Sequence, residues 1–263
     1  MSKSIIFDTE TTGLNVEDRI IQVGAIVVDS SPNIEDVVID ELCSSEIQIK
    51  IPAMAVHGIR QNKIDNKPSF LETKFYKMLS ENNSQENYLV AHNLDFDKAM
   101  LEKEDFINSY SLIDTLQCAK HLYALGEDIN GYKLPNYQLQ TFRYILFNEE
   151  YETQEANKYN VEIKAHDAIG DVIILKLFFR VLAEKVKAKY KLKGYSNIMN
   201  KLVGLTSEFV IIEKITFGKF KGQLINDIVQ KADEKSWINW YLNSADNIDK
   251  NLKYSLNLAI TNT

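Results

Sequence analysis

Two cysteines, Cys43 and Cys118, in 263 residues exclude a disulfide framework, and their spacing matches no metal-ligand pattern. The expectation is two free thiols in a reducing cytoplasm. Arginine is confined to Arg19, Arg60, Arg143 and Arg180. Phosphate contacts would therefore be mostly lysine point charges rather than bidentate forks. Long apolar runs are missing. The pair Ile20-Ile21 and the segment 175–179 are short or interrupted by charge, and nothing approaches the roughly 20 apolar residues that cross a bilayer. No membrane partner is expected. Residues 1–7 run into Asp8 and Glu10 before an apolar core of about 7–15 residues can form, which argues against a secretory signal peptide. Internal repeats and low-complexity tracts are absent as well.

What is present is the balance of a soluble globular protein, with 45% hydrophobic and 25% charged residues. The length suits one large core, or one core plus a small module. The net charge of −7 is unevenly spread. Residues 1–179 hold 16 basic and 29 acidic side chains, residues 180–201 hold 7 and 1, and residues 202–263 hold 7 of each. An acidic body repels a polyanion unless cations intervene. The lysines at 185, 187, 189, 191 and 193 read either as a solvated helix end near its negative dipole terminus or as a track for phosphates.

Residues 4–7, 19–29 and 37–42 read as three strands, the first two joined by a short polar connection that suits antiparallel neighbours. Helical spacing follows Pro68 through Phe70, Phe75 and Leu79. Strands at 88–91 and 112–113 alternate with helices near 96–101, 116–125 and 135–147. The longest helix is expected from 168 to about 191. This order predicts an α/β domain with a mixed sheet flanked by helices. A domain at 1–193, a linker at 194–206 and a small α+β module at 207–263 complete the expected organisation. The module is read as two short strands over 209–220 and a helix over 233–242.

Three segments carry acid-rich chemistry. In Phe7-Asp8-Thr9-Glu10-Thr11-Thr12-Gly13-Leu14, Asp8 and Glu10 stand two apart and share one face of a strand. Two such carboxylates are costly together unless a cation or proton neutralises them, although a polar strand end facing water gives the same pattern. In Ala91-His92-Asn93-Leu94-Asp95-Phe96-Asp97, a strand hands over to a helix, and Asp95 and Asp97 compete as the chemical residue. Asp95 also suits a helix N-cap. In Ala165-His166-Asp167-Ala168-Ile169-Gly170-Asp171, His166 and Asp171 diverge by about 140° if both are helical. They converge only if Asp167 caps the helix and His166 precedes it.

These patterns, in this order, resemble the three motifs of the DEDDh, or DnaQ-like, 3′→5′ exonucleases over residues 3–182. The resemblance implies a ribonuclease-H-like fold. It puts the four acids at Asp8, Glu10, Asp97 and Asp171 and the histidine at His166. Thr11, Leu14 and His57 are implied near the terminal nucleotide, His57 from the segment Met54-Ala55-Val56-His57-Gly58-Ile59, and His92 and Asn93 among the residues that bind nucleic acid. Oxygen donors select hard cations, so two Mg²⁺ or Mn²⁺ ions per site are expected at the four acids. Asp8 would bridge them, and His166 would take the proton from the attacking water.

Ile215-Thr216-Phe217-Gly218-Lys219-Phe220-Lys221-Gly222 resembles the FGKxKG motif of a C-terminal domain in proteins related to exodeoxyribonuclease X. If extended, it sets Phe217, Lys219 and Lys221 on one face, suited to single-stranded nucleic acid. A glycine-punctuated hairpin with solvated lysines fits as well. Trp237, Trp240 and Tyr241 have the spacing of core packing. The expected activity is hydrolysis of nucleic acid, DNA over RNA, from the 3′ end, releasing nucleoside 5′-monophosphates. An exoribonuclease and a non-catalytic nucleic-acid-binding module are the rival readings. A polymerase or other replication partner is compatible with the motifs but not indicated by them.

Overall fold

The computed structural model describes residues 2–31, 34–163, 167–245 and 248–262. The chain divides into two compact units, Met1–Thr206 and Ser207–Thr263. Among the described residues, no helix is long and apolar enough to cross a membrane.

The first unit is built on strands β1 (Lys3–Thr11), β2 (Ile20–Asp29), β3 (Val37–Leu42), β4 (Tyr88–Ala91) and β5 (Ser111–Asp114), in the order β3-β2-β1-β4-β5. β1 runs antiparallel to β2 and parallel to β4, so the sheet is mixed. Its helices are α1 (Ile51–His57), α2 (Lys74–Glu81), α3 (Leu94–Lys103), α4 (Thr115–Leu122), α5 (Leu139–Leu146), α6 (Glu149–Asn157), α7 (Ala168–Tyr190) and α8 (Tyr195–Ser207). A small hairpin, β6 (Asp128–Ile129) and β7 (Tyr132–Lys133), lies between α4 and α5 in sequence.

Alternation along β1 separates two apolar layers. Ile6 joins the layer formed with α4, α5 and α7, while Ile5 and Phe7 join the layer formed with α2 and α3. α7 packs on β1 and β2. Ile169, Val172, Ile173, Phe178 and Leu182 are all buried in that layer, each such side chain contributing about 1.5–3 kcal/mol on burial.

Residues 194–206, expected as a linker, instead belong to the first unit. Gly194, at φ 80°, breaks the chain after α7, and α8 follows. Met199, Leu202 and Leu205 are buried in the layer around α7, because their three-residue spacing makes one apolar stripe.

The second unit contains α9 (Ile225–Val229), α10 (Ala232–Ser244) and α11 (Lys250–Thr261). The two strands expected over 209–220 do not form. Among the described residues there is an isolated bridge, Lys214 to Leu224, and a 3₁₀ turn at Gly218–Phe220. The segment's apolar residues pack instead on helices: Ile215 and Phe220 are buried with Ile228, Ile238 and Leu256.

Candidate active site

β1 sets the first two acids. Asp8 and Glu10 continue the face of Ile6, the face covered by α7. A register irregularity between Glu10 and Thr11 then turns the strand away. Asp8 pairs across the sheet with Gly24 and Glu10 with Gln22. Gly24 is where α7 comes down onto the sheet. A Cβ there would lie 2.4 Å from the Ile169 nitrogen and 2.5 Å from the Ala168 carbonyl carbon. The missing side chain lets the first turn of α7, with Asp171 in it, approach β1 closely.

Carboxylate oxygens of Asp8, Glu10 and Asp171 lie within 4.8 Å of one another. Asp97, on α3, is not one of those three, but its charge acts on both Asp8 and Glu10. Asn93, at φ 72°, turns the chain from β4 into that helix, and its N–H donates to Asp114 Oδ1 at 3.1 Å. Asp97 is 3% exposed, and its Oδ1 accepts from the Thr9 hydroxyl at 2.6 Å. Asp95 is exposed in the first turn. Burial thus separates the two, and the N-cap position falls to Asn93 rather than Asp95.

Among the described residues, the charges acting on Asp8 and Glu10 are negative. Burial, with the charges of Asp97, Glu10 and Asp171, pushes the Asp8 carboxyl well above the usual carboxylate range. Burial and the charges of Asp171 and Asp97 push Glu10 up to about 8. Asp97 rises to about 7 through burial, against the opposing Thr9 hydrogen bond. Closely spaced carboxylates with this repulsion suit a hard divalent cation, whose charge reverses each shift. The oxygen-only donor set therefore fits Mg²⁺ or Mn²⁺.

His166 lies outside the described residues. Asp167 takes the N-cap position of α7, but its carboxylate makes no cap hydrogen bond. It accepts instead from Gln22 Nε2 at 3.0 Å, which ties the start of α7 to β2.

Beside Glu10 is a cavity of about 410 Å³ lined by Thr11, Leu14, Lys50, Val56, His57 and Phe96 among others. Leu14 is 81% exposed at its mouth. Thr11 is buried, its hydroxyl donating to the Gly13 carbonyl. His57 Nδ1 accepts from Ile59 N–H, and the ring also meets the backbone of Thr11. Burial lowers the His57 pKa. The loop bearing Leu14 is clamped by Asp18, which accepts from Thr12 Oγ1, Asn15 N–H and Lys50 Nζ at 2.7–2.9 Å.

His92, expected as a nucleic-acid contact, has both ring nitrogens hydrogen-bonded within the protein. Its Nε2 is 2.9 Å from the Tyr137 carbonyl and its Nδ1 2.9 Å from Thr115 Oγ1. A carbonyl only accepts, so Nε2 carries the proton. Burial lowers this ring to about 4, so it stays neutral and braces β4 against residues 115 and 137. Asn93 is exposed beside it.

In the second unit, Lys219 sits in the 3₁₀ turn, 4.7 Å over the Phe220 ring and 6.0 Å from Trp237. Phe217 does not share an outward face with Lys219 and Lys221. Its ring packs 5.1 Å from Tyr241, which stacks on Trp237. Lys221 is exposed, and so is Trp240. Of the basic helix end, Lys185 pairs with Glu127 and Lys187 with Glu184.

Sequence reasoning missed Gly24, Asp18, Lys50, Thr9 and Gln140, whose Nε2 donates to Asp171 Oδ1 at 2.6 Å. Gly24 left a signal, since a lone glycine in an Ile/Val-rich strand marks a close approach.

The exonuclease family profile RNase_T matches residues 5–179. The chain belongs to this DnaQ-like exonuclease family. It is 32% identical over 142 residues to the DNA polymerase III subunit epsilon of Treponema pallidum, across 51% of this chain and 62% of that protein. It is 30% identical over 135 residues to the PolC-type DNA polymerase III of Caldanaerobacter subterraneus, across 49% of this chain and 9% of that protein. The chain thus spans less than two thirds of either relative. Escherichia coli exonuclease I, solved in complex with a dT13 oligonucleotide, shares the fold at TM-score 0.54 and 20% identity, over 73% of this chain and 43% of that one.

Proposed function

We propose that this member of the exonuclease family hydrolyses DNA from its 3′ end and releases nucleoside 5′-monophosphates. The observation that carries the reading is the convergence of Asp8, Glu10 and Asp171 within 4.8 Å, with buried Asp97 raising the Asp8 pKa beside them. Asp8, Glu10 and Asp171, with Asp97, would hold two Mg²⁺ or Mn²⁺ ions. Such ions supply charge neutralisation at the phosphate and at the leaving oxygen, and acidify bound water.

The chain's own residues do the rest. Thr9 fixes the Asp97 carboxylate from β1. Gln22 ties the head of α7 to the sheet and so sets Asp171 against β1. The cavity of Thr11, Leu14, Val56, His57 and Phe96 takes the terminal nucleotide, its apolar walls facing a base and its Glu10 edge facing the scissile end. The Asp18 clamp keeps that wall from collapsing when empty. His166 accepts the proton of the attacking water, a role suited to an ordinary imidazole near neutral pH. DNA is favoured over RNA because relatives of this chain are DNA polymerase III epsilon subunits.

The test compares deoxyribo- and ribo-oligonucleotides of one sequence, with products separated against mononucleotide standards. Nucleoside 5′-monophosphates released faster from the deoxy strand support the proposal. Faster release from the ribo strand transfers the activity to RNA. Oligonucleotide or 3′-phosphate products contradict the proposal.

A further inference from the structure

Gln140 and Arg143 stand three residues apart on α5 and share one face. Gln140 Nε2 donates to Asp171 Oδ1 at 2.6 Å, and its Oε1 accepts from Arg143 Nη1 at 3.3 Å. These neighbours fix the direction of the amide. A guanidinium only donates and a carboxylate only accepts, so the amide cannot turn over without losing both contacts. Arg143 is itself held by Glu152 of α6. Nε reaches both carboxylate oxygens, at 3.0 and 2.9 Å, and Nη2 reaches Oε2 at 2.6 Å. Glu152 is buried, so the pair is partly withdrawn from water. A polar chain thus runs Glu152, Arg143, Gln140, Asp171 across three helices.

We propose that Gln140 is a positioning residue for Asp171, with the Arg143–Glu152 pair setting the direction of its amide. The proposal rests on the reading of Asp171 as a metal ligand. Asp171 sits in the first turn of α7, where side-chain rotation alone swings its carboxylate toward or away from β1. The Gln140 bond selects the rotamer that faces Asp8 and Glu10. A carboxylate so held meets an incoming cation without losing rotamer freedom, and outer-shell partners of this kind are typically worth about 10–100-fold in metal affinity or activity. None of the three family motifs contains Gln140, Arg143 or Glu152.

The experiment titrates MnCl₂ into the full chain by isothermal calorimetry, without nucleic acid, and records thermal midpoints with and without metal. Gln140→Ala is expected to weaken Mn²⁺ binding by about 10-fold or more, with the metal-free midpoint unchanged. Gln140→Asn, one methylene shorter, is expected to weaken it similarly and replaces the alanine variant should that one unfold. Arg143→Met with Glu152→Met removes the pair without leaving a buried charge. It is expected to weaken Mn²⁺ binding by less, and to add nothing in a Gln140→Ala background. Wild-type affinity in Gln140→Ala and Gln140→Asn overturns the inference alone. Absence of Mn²⁺ uptake by the wild-type chain overturns the metal-site reading, and the inference with it.

Discussion

Gly24→Ala adds one carbon at the point where α7 meets the sheet. That Cβ would stand 2.4 Å from the Ile169 nitrogen and 2.5 Å from the Ala168 carbonyl carbon, both backbone atoms of the first turn of α7. Neither can rotate away, so the helix must retreat. Ordinary contact begins near 3.4 Å, so the retreat is about 1 Å. Overpacking of this kind costs about 1–3 kcal/mol. At about 2–4 °C per kcal/mol for a unit of this size, the thermal midpoint falls by roughly 2–12 °C. Catalysis suffers more. Asp171 rides on the same turn and must stay near Asp8 and Glu10, and a misplacement of about 1 Å costs on the order of 100-fold in rate. The assay is single-turnover cleavage of labelled DNA at a temperature where calorimetry shows the variant folded. A folded Gly24→Ala with wild-type rate would refute the claim that this approach positions Asp171.

The same geometry makes further expectations. Without metal, the raised carboxyls stabilise the fold only while protonated: the Glu10 contribution is full below about 4.5 and lost as pH rises through about 8. The midpoint of chelated protein should therefore fall between pH 5 and 8, and the fall should shrink in Glu10→Gln. Mg²⁺ or Mn²⁺ should restore stability most at the alkaline end; a chelated midpoint indifferent to both pH and Glu10→Gln would contradict the assigned repulsion. His166→Ala should slow cleavage by about 10²–10⁴-fold while leaving Mn²⁺ binding intact; an unchanged rate removes His166 as the base. Lys219→Ala with Lys221→Ala should weaken single-stranded DNA binding and reduce its salt dependence by up to about 1.4 in log–log slope; an unaltered slope means these lysines touch no phosphate.

Asp8, Glu10 and Asp171, which converge, each stood out in a short local pattern, whereas the preference for Asp97 over Asp95 came from the family resemblance. Asp8 and Glu10 share a strand face, and Asp97 lies in the first turn of the helix that follows the strand Tyr88–Ala91. Of what holds those acids, Gly24 left a local mark and the others did not. Gln140 and the Arg143–Glu152 pair act across separations that no periodicity records, such as 31 residues between Gln140 and Asp171. At His92, whose place in the second motif suggested a substrate contact, both ring nitrogens are hydrogen-bonded to Thr115 and Tyr137, partners that the local pattern does not record. The stretch 194–206 misled for a compositional reason. Ser196, Asn197, Asn200 and Lys201 gave it the polarity of a linker, while Met199, Leu202 and Leu205 formed the buried stripe of α8. In the second unit, alternating aromatics and lysines near Gly218 imitated strands, but the aromatics had helices to pack on.

The central claim is that the acids gathered at the end of β1 form a metal-dependent centre acting on a 3′ end. Its most direct test uses 5′-labelled single-stranded DNA with Mg²⁺ or with chelator, beside Asp171→Asn. A ladder of 5′-labelled fragments shortening from the 3′ end, seen only with metal and native Asp171, is the expected result. Cleavage that persists in chelator or in Asp171→Asn, or that releases the labelled 5′ nucleotide first, would contradict it.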